Sequence, residues 1–244
     1  MSRAEMRGAR RMKKAAKYEQ AGVAMTCRSY AEYVRMFDLD VSRLREGEVL
    51  DIAAGGSSFT AELNKEGTAY AVDPRYGPET SGWIREAAEE IDISTGKLQQ
   101  IAPIYDWSYY GSPEAHRANR MKSLDTFAAH CLSEQGRPHY VQGALPKLPF
   151  ESGRFSLVLC SHFLFLYAEQ FGHKFHIDSV LEMMRVCKPG GEVRIYPLVS
   201  LSWEPYPGLD ELMNAVIQAG GKPELFPSRL PFIPGSPFFL RITN

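Results

Sequence analysis

No uninterrupted apolar stretch in this 244-residue chain approaches the roughly 20 residues needed to cross a bilayer, so no helical membrane span is expected. The opening segment, Met1 to Lys17, lacks the apolar core of a secretory leader and reads as cytoplasmic. Cysteine is scarce: Cys27, Cys131, Cys160 and Cys187 stand far apart with no C-x-x-C pair, which argues against a zinc knuckle or a redox motif. No charge of one sign dominates either. Lys and Arg number 28 against 29 Asp and Glu, for a net charge of −1, so the chain as a whole has no electrostatic reason to sit on nucleic acid or an anionic surface. Two phosphate loops are missing as well. The G-x-G-x-x-G positions are held by Ala53, Gly55 and Ser58, a poor cradle for pyrophosphate, and no G-x-x-x-x-G-K-[ST] occurs.

What is present is a change of pattern at Glu48. Before it, residues 1–47 read as a basic arm (Arg3, Arg7, Arg10, Arg11, Lys13, Lys14, Lys17) and a helix near Ser29 to Leu39 with Tyr30, Tyr33, Val34 and Phe37 on one face. From 48 to 244, short β-rich runs alternate with amphipathic stretches, the signature of a parallel sheet covered by helices. Strands are expected at Glu48 to Ile52, Thr68 to Val72, His139 to Gln142, Phe155 to Cys160 and Glu192 to Tyr196. Helices are expected at Ser58 to Asn64, Glu114 to Glu134, Ile177 to Cys187 and Leu209 to Ala219. Two extended runs, Pro223 to Arg229 and Pro237 to Thr243, are joined by too few residues for a crossover helix and should pair antiparallel. The fold class is therefore α/β: a doubly wound, Rossmann-like sheet of about seven strands, mostly parallel, with an antiparallel C-terminal strand. One stretch, about 75–113, fits none of this regularity. It carries Tyr76, Trp83, Tyr105, Trp107, Tyr109 and Tyr110 among mixed charges and reads as an aromatic-rich insertion.

In open α/β sheets, ligands lie beyond the carboxyl ends of the strands, where strand order reverses. Two strand ends carry informative residues here. After the first strand comes Asp51-Ile52-Ala53-Ala54-Gly55-Gly56, whose small residues let backbone approach a ligand. After the second stands Asp73, an acidic residue about 20 positions beyond Asp51, the spacing at which a carboxylate receives the hydroxyls of a ribose. Turn and carboxylate together point to an adenosine-type ligand.

Five segments, Val49-Leu-Asp-Ile-Ala-Ala-Gly-Gly56, Tyr70-Ala-Val-Asp73-Pro74, Val141-Gln-Gly-Ala144-Leu-Pro-Lys-Leu-Pro-Phe150, Phe155-Ser-Leu-Val-Leu159 and Met184-Arg-Val-Cys-Lys-Pro-Gly-Gly191, resemble class I S-adenosylmethionine-dependent methyltransferases. Within that class the likeness is to the broad family that includes the ubiquinone/menaquinone-biosynthesis C-methyltransferases. The resemblance implies S-adenosyl-L-methionine as cofactor, with the turn from Asp51 through Ala53 to Gly55 at its methionine part and Asp73 at the ribose. Pro74, Ala144 and Leu145 would flank the adenine, and Ser161 and His162 would face the transferable methyl. The sequence departs from the family at Ala53 and Ser57, which are usually glycine, and at Ala144, which is usually an acidic adenine contact. The last departure keeps an inactive S-adenosylmethionine-binding module as an alternative.

Methyl transfer from a sulfonium needs alignment first and a base only where the acceptor carries a proton. His162 is the candidate base, since an imidazole titrates near neutrality; a histidine packed in the cleft wall is the other reading. His173 and His176 show H-x-x-H spacing without a third ligand, so no metal is expected. Cys160, within a strand, reads as packing. For the acceptor, a small or hydrophobic metabolite suits the aromatic insertion with Phe163, Phe165 and Tyr167. An RNA acceptor would use the basic arm with Arg117, Arg120 and Lys122 and stack bases on the insertion's aromatics. Near-neutral net charge favours the metabolite. Neither the acceptor atom nor the oligomeric state is written in the sequence.

Overall fold

In the computed structural model, which describes residues 22–25 and 27–244, the alternation beginning at Glu48 folds into one seven-stranded sheet. Its strands are β1 (Glu48–Ile52), β2 (Thr68–Asp73), β3 (Tyr140–Gln142), β4 (Phe155–Ser161), β5 (Cys187–Tyr196), β6 (Lys222–Pro227) and β7 (Phe238–Thr243), in the spatial order β3-β2-β1-β4-β5-β7-β6. The first five are mutually parallel. β7 runs antiparallel to both β5 and β6, as the short connection after β6 requires. The basic arm lies outside the described residues.

Burial explains the sequence character of each strand. β1 and β4 lie in the middle with helices on both faces, so they read as near-continuous apolar runs. Leu50, Ile52, Val158 and Cys160 turn to one face, where they pack with Val180 and Met183. Val49, Leu157 and Leu159 turn to the other, against Tyr33, Met36 and Phe59. The edge strand β6 is partly or fully exposed along its length and buries none of its residues.

Among the described residues, six α-helices cover the sheet: α1 (Tyr30–Met36), α2 (Phe59–Leu63), α3 (Thr80–Gln100), α4 (Pro113–Cys131), α5 (His173–Val186) and α6 (Leu209–Gln218). α1 begins with a capping box in which Ser29 and Glu32 satisfy each other's backbone amides. α4 starts on the Ser112 hydroxyl with Pro113 in its first turn.

The stretch expected to be irregular, 75–113, instead contains the 21-residue helix α3. Its buried side, Trp83, Ala87, Ile91 and Leu98 with Thr80 and Thr95, is a narrow stripe in which two threonines and an alanine stand at helical spacing, and that composition hides the helical period. Tyr76, just ahead of it, stacks 6.0 Å from Trp83 and 5.8 Å from Phe127 of α4. α4 in turn buries Leu124, Phe127 and Cys131 against α3, Ala54 and Ala71. The helix expected to run to Glu134 ends at Cys131, and Leu132, just past its end, is 55% exposed.

Candidate functional site

Strand order reverses between β1 and β4, since the chain proceeds outward from β1 through β2 and later returns to β4 on its other side. The crevice at the carboxyl ends of these strands is where such sheets bind ligands. Two cavities open there. The larger, of about 240 Å³, is bounded by the turn after β1 (Ala53, Gly55), the end of β2 (Asp73, Pro74), the loop after β3 (Gly143, Ala144, Leu145) and the end of β4 (His162, Phe163). The smaller, of about 110 Å³, lies beside it between α3, α4 and the loop after β5. Ala24, Met25 and His162 line both.

The turn after β1 is shaped by left-handed backbone. Gly55 has φ 54°, which glycine adopts freely, and Ala53 has φ 53°, which costs an alanine about 1–2 kcal/mol. Gly56 is required for a different reason: a Cβ there would stand 2.8 Å from Cys27 Sγ and 2.9 Å from Leu124 Cδ1. The turn is tied to β2 by Asp73, whose Oδ2 accepts from Gly55 N at 3.2 Å and whose Oδ1 accepts from Arg75 N at 3.0 Å. Each oxygen keeps a further lone pair, so the carboxylate has capacity for hydroxyl donors from the cavity. Burial raises the Asp73 pKa, partly offset by those backbone donors.

Ala53, Gly55, Asp73, Pro74, Ala144, Leu145 and His162 are thus brought together around one cavity. Asp51 and Ser161 are not among its lining residues. Asp51 is wholly buried behind the turn, where Tyr33 donates its hydroxyl to Oδ1 at 3.1 Å while Oδ2 has no partner. Burial pushes its pKa well above the usual carboxylate range. Ser161 lies beneath His162, its Oγ 2.9 Å from His162 Nδ1.

His162 sits just past β4 with φ 55°, its backbone N–H donating to Tyr196 O at 2.6 Å. Its Nε2 is buried without a partner. The near-neutral titration expected of it does not fit these surroundings: burial first, and then Arg28 and Arg120, hold its pKa far below the usual imidazole value. It is a neutral imidazole.

The smaller cavity has a wall that sequence reasoning missed. Glu32 of α1, fully buried, receives Arg120 Nη1 at 2.7 Å, Arg28 Nη1 at 3.2 Å, Asn119 Nδ2 at 2.8 Å and the Tyr110 hydroxyl. The Ser29 amide and hydroxyl add two more donors at 2.8 and 2.9 Å. Burial alone would raise the Glu32 pKa, but Arg120, Arg28 and these donors outweigh it and the net shift is strongly downward. The i,i+4 spacing of Arg28 and Glu32 was a visible signal; that Arg120 closes the cluster was not.

The other candidates resolve into structure. Cys160 is buried within β4 and burial raises its thiol to about 12. His176 lies near the backbone carbonyls of Gly172 and Leu164, at 3.0 and 3.2 Å. Among the described residues no three His, Cys, Asp or Glu side chains converge as metal ligands, and no helix is long and apolar enough to cross a membrane. Phe163 borders the larger cavity and Tyr167 the smaller, whereas Phe165 is wholly buried against His176 and Tyr206.

Residues 113–195, from α4 through β5, match the family model of a methyltransferase domain. An uncharacterized protein of Methanocaldococcus jannaschii is 28% identical over 189 residues, covering 77% of this chain and 83% of that one. Among solved structures, a SAM-dependent methyltransferase from Aquifex aeolicus overlaps with a TM-score of 0.41 at 14% identity, over 86% of this chain and 90% of its own. The Burkholderia thailandensis 1,6-didemethyltoxoflavin-N1-methyltransferase, bound to 1,6-didemethyltoxoflavin and S-adenosylhomocysteine, overlaps with a TM-score of 0.44 at 16% identity, over 83% and 74%. Overlaps of this size say nothing about the acceptor of this chain.

Proposed function

We propose that this class I, S-adenosylmethionine-dependent methyltransferase transfers its methyl group to a small hydrophobic metabolite held in the cavity between α3, α4 and the loop after β5. The observation that carries the reading is the meeting of two cavities at His162, one walled by backbone and a ribose-competent carboxylate, the other by aromatic side chains.

The residues of the larger cavity fit the cofactor. Asp73 offers free acceptor capacity where hydroxyls are expected, and the turn Ala53 to Gly55 presents backbone rather than side chain. Pro74, Ala144 and Leu145 form a flat, weakly polar boundary suited to a purine, with Gly143 and Ala144 leaving recognition there to the backbone. Asp51 and Ser161 support the site from behind, the first through the turn and the second through His162. When bound, the cofactor supplies a methyl on an activated leaving group; the chain supplies alignment and dryness. His162, held neutral and too weakly basic to take up a proton, meets both cavities with Nε2 free to accept a hydrogen bond that orients the acceptor.

The metabolite reading is also favoured by where the rings and cations lie. Tyr76, Trp83, Tyr105 and Tyr110 are each at most 8% exposed, so they are not platforms for stacking RNA bases. Arg120 is buried in the Glu32 cluster, and Arg117 is engaged by Asp92 at 2.5 Å. The test is transfer of tritiated methyl from S-adenosylmethionine into a fractionated lysate. Label in the small-molecule fraction is the expected result; label confined to RNA, or in no fraction, overturns the reading.

A further inference from the structure

The smaller cavity has charged groups in its wall as well as a shape. Arg28 and Arg120 both line it, and each is only 6% exposed. Their common counter-ion is Glu32. A second carboxylate, that of Glu90, also borders the cavity and is half-buried, its Oε2 accepting the Met25 amide at 3.2 Å. Two guanidinium groups so deeply buried beside an acceptor cavity are placed to receive an anionic group of its ligand.

Three residues of this wall also carry buried nitrogens with no hydrogen-bond partner: Arg28 Nε, His116 Nδ1 and His162 Nε2. Such atoms are rare in folded proteins, and each calls for an explanation. Neither histidine adds a charge, because burial and the two arginines keep both neutral, His116 at a pKa of about 2. The remaining wall is apolar, part aliphatic (Ile91, Leu98, Leu166, Leu201) and part aromatic. Tyr105 and Phe232 stack at 4.8 Å, and Trp203 meets Tyr105 edge-on at 5.5 Å. The space of about 110 Å³ is of the order of the roughly 150 Å³ in which an engineered apolar cavity holds benzene. It takes one ring.

Resting on the acceptor site proposed above, we infer that the acceptor is a single-ring aromatic carboxylic acid, its ring against the cavity face of the Tyr105, Phe232 and Trp203 cluster and its carboxylate received by Arg28 and Arg120. A carboxylate there supplies the acceptor that the buried Arg28 Nε lacks. A planar carboxylate also matches the fork of a guanidinium.

The test titrates benzoate and its neutral isostere benzamide into the full chain, with and without S-adenosylhomocysteine, followed by ligand-observed NMR. Benzoate is expected to bind at least about tenfold more tightly, the ratio that about 1.4 kcal/mol provides. Arg28→Met should erase that preference, and Arg28→Lys should keep most of it. Equal binding of the two probes overturns the inference, as does a preference that survives Arg28→Met or Arg120→Met. Should Arg28→Met fail to fold, the wild-type comparison and Arg28→Lys decide the matter alone. The two readings also fail separately. A benzoate preference without S-adenosylhomocysteine binding sinks the cofactor assignment and leaves this one, and the reverse pattern does the opposite.

Discussion

Glu32→Gln is the sharpest perturbation of the cluster behind the smaller cavity. The substitution keeps the shape of the side chain and removes its charge, and it turns one carboxylate oxygen into an NH₂ group. Each oxygen of Glu32 now accepts at least two donors: Arg28 Nη1 and the Tyr110 hydroxyl on Oε1, and Arg120, Asn119 and Ser29 on Oε2. Whichever way the amide points, a donor faces donors and two buried guanidinium groups lose their counter-ion. Removing one partner of a buried ion pair costs about 3–5 kcal/mol, a large share of the 5–15 kcal/mol typical of a whole domain. Urea unfolding followed by tryptophan fluorescence reads this as a lower midpoint. The pH dependence has a definite sign. The folded pKa of Glu32 lies below the ordinary 4.5, so the wild-type advantage is full above that pH and is lost as pH falls through the folded value. A loss under about 1 kcal/mol at neutral pH would refute the view that this carboxylate holds the cluster together.

Two other perturbations test the turn after β1. Ala53→Gly relieves a left-handed alanine and should stabilise the fold by up to about 1 kcal/mol in the same unfolding assay; a destabilised variant would show that the Ala53 methyl makes packing worth more than the strain. Asp51 has a folded pKa well above 3.8, so the stability it contributes is greatest below that pH and falls as pH rises through the folded value. The unfolding free energy of wild type relative to Asp51→Asn should therefore decline from acid toward neutral pH, and a difference independent of pH contradicts the assignment.

The parallel core was legible because buried strands must be apolar on both faces: the bounds of β1 were read residue for residue, and those of β2, β4, β6 and β7 nearly so. The cavity residues at the strand ends were legible for a topological reason, since a reversed strand order puts Ala53, Asp73 and His162 at one crevice wherever the rest of the chain goes. α3 was not legible, because its buried stripe includes Thr80, Ala87 and Thr95 and so carries few large apolar residues, while Gly82 and Gly96 beside it read as helix breakers. Nor was the Glu32 cluster, whose Arg120 arrives from 88 positions away and reads in sequence like any surface arginine on a helix. Burial, which no local pattern reports, also moved His162 from the near-neutral titration its residue type suggests to a neutral ring.

The central claim is that the crevice at Asp73 is an S-adenosylmethionine site, and calorimetry with S-adenosylhomocysteine and NAD on wild type and Asp73→Ala tests it most directly. The account predicts binding of S-adenosylhomocysteine, no saturable binding of NAD, and a loss of about 1.5–3 kcal/mol in the variant, roughly 10- to 150-fold. Tight NAD binding without S-adenosylhomocysteine binding, or an affinity unchanged by Asp73→Ala, contradicts it.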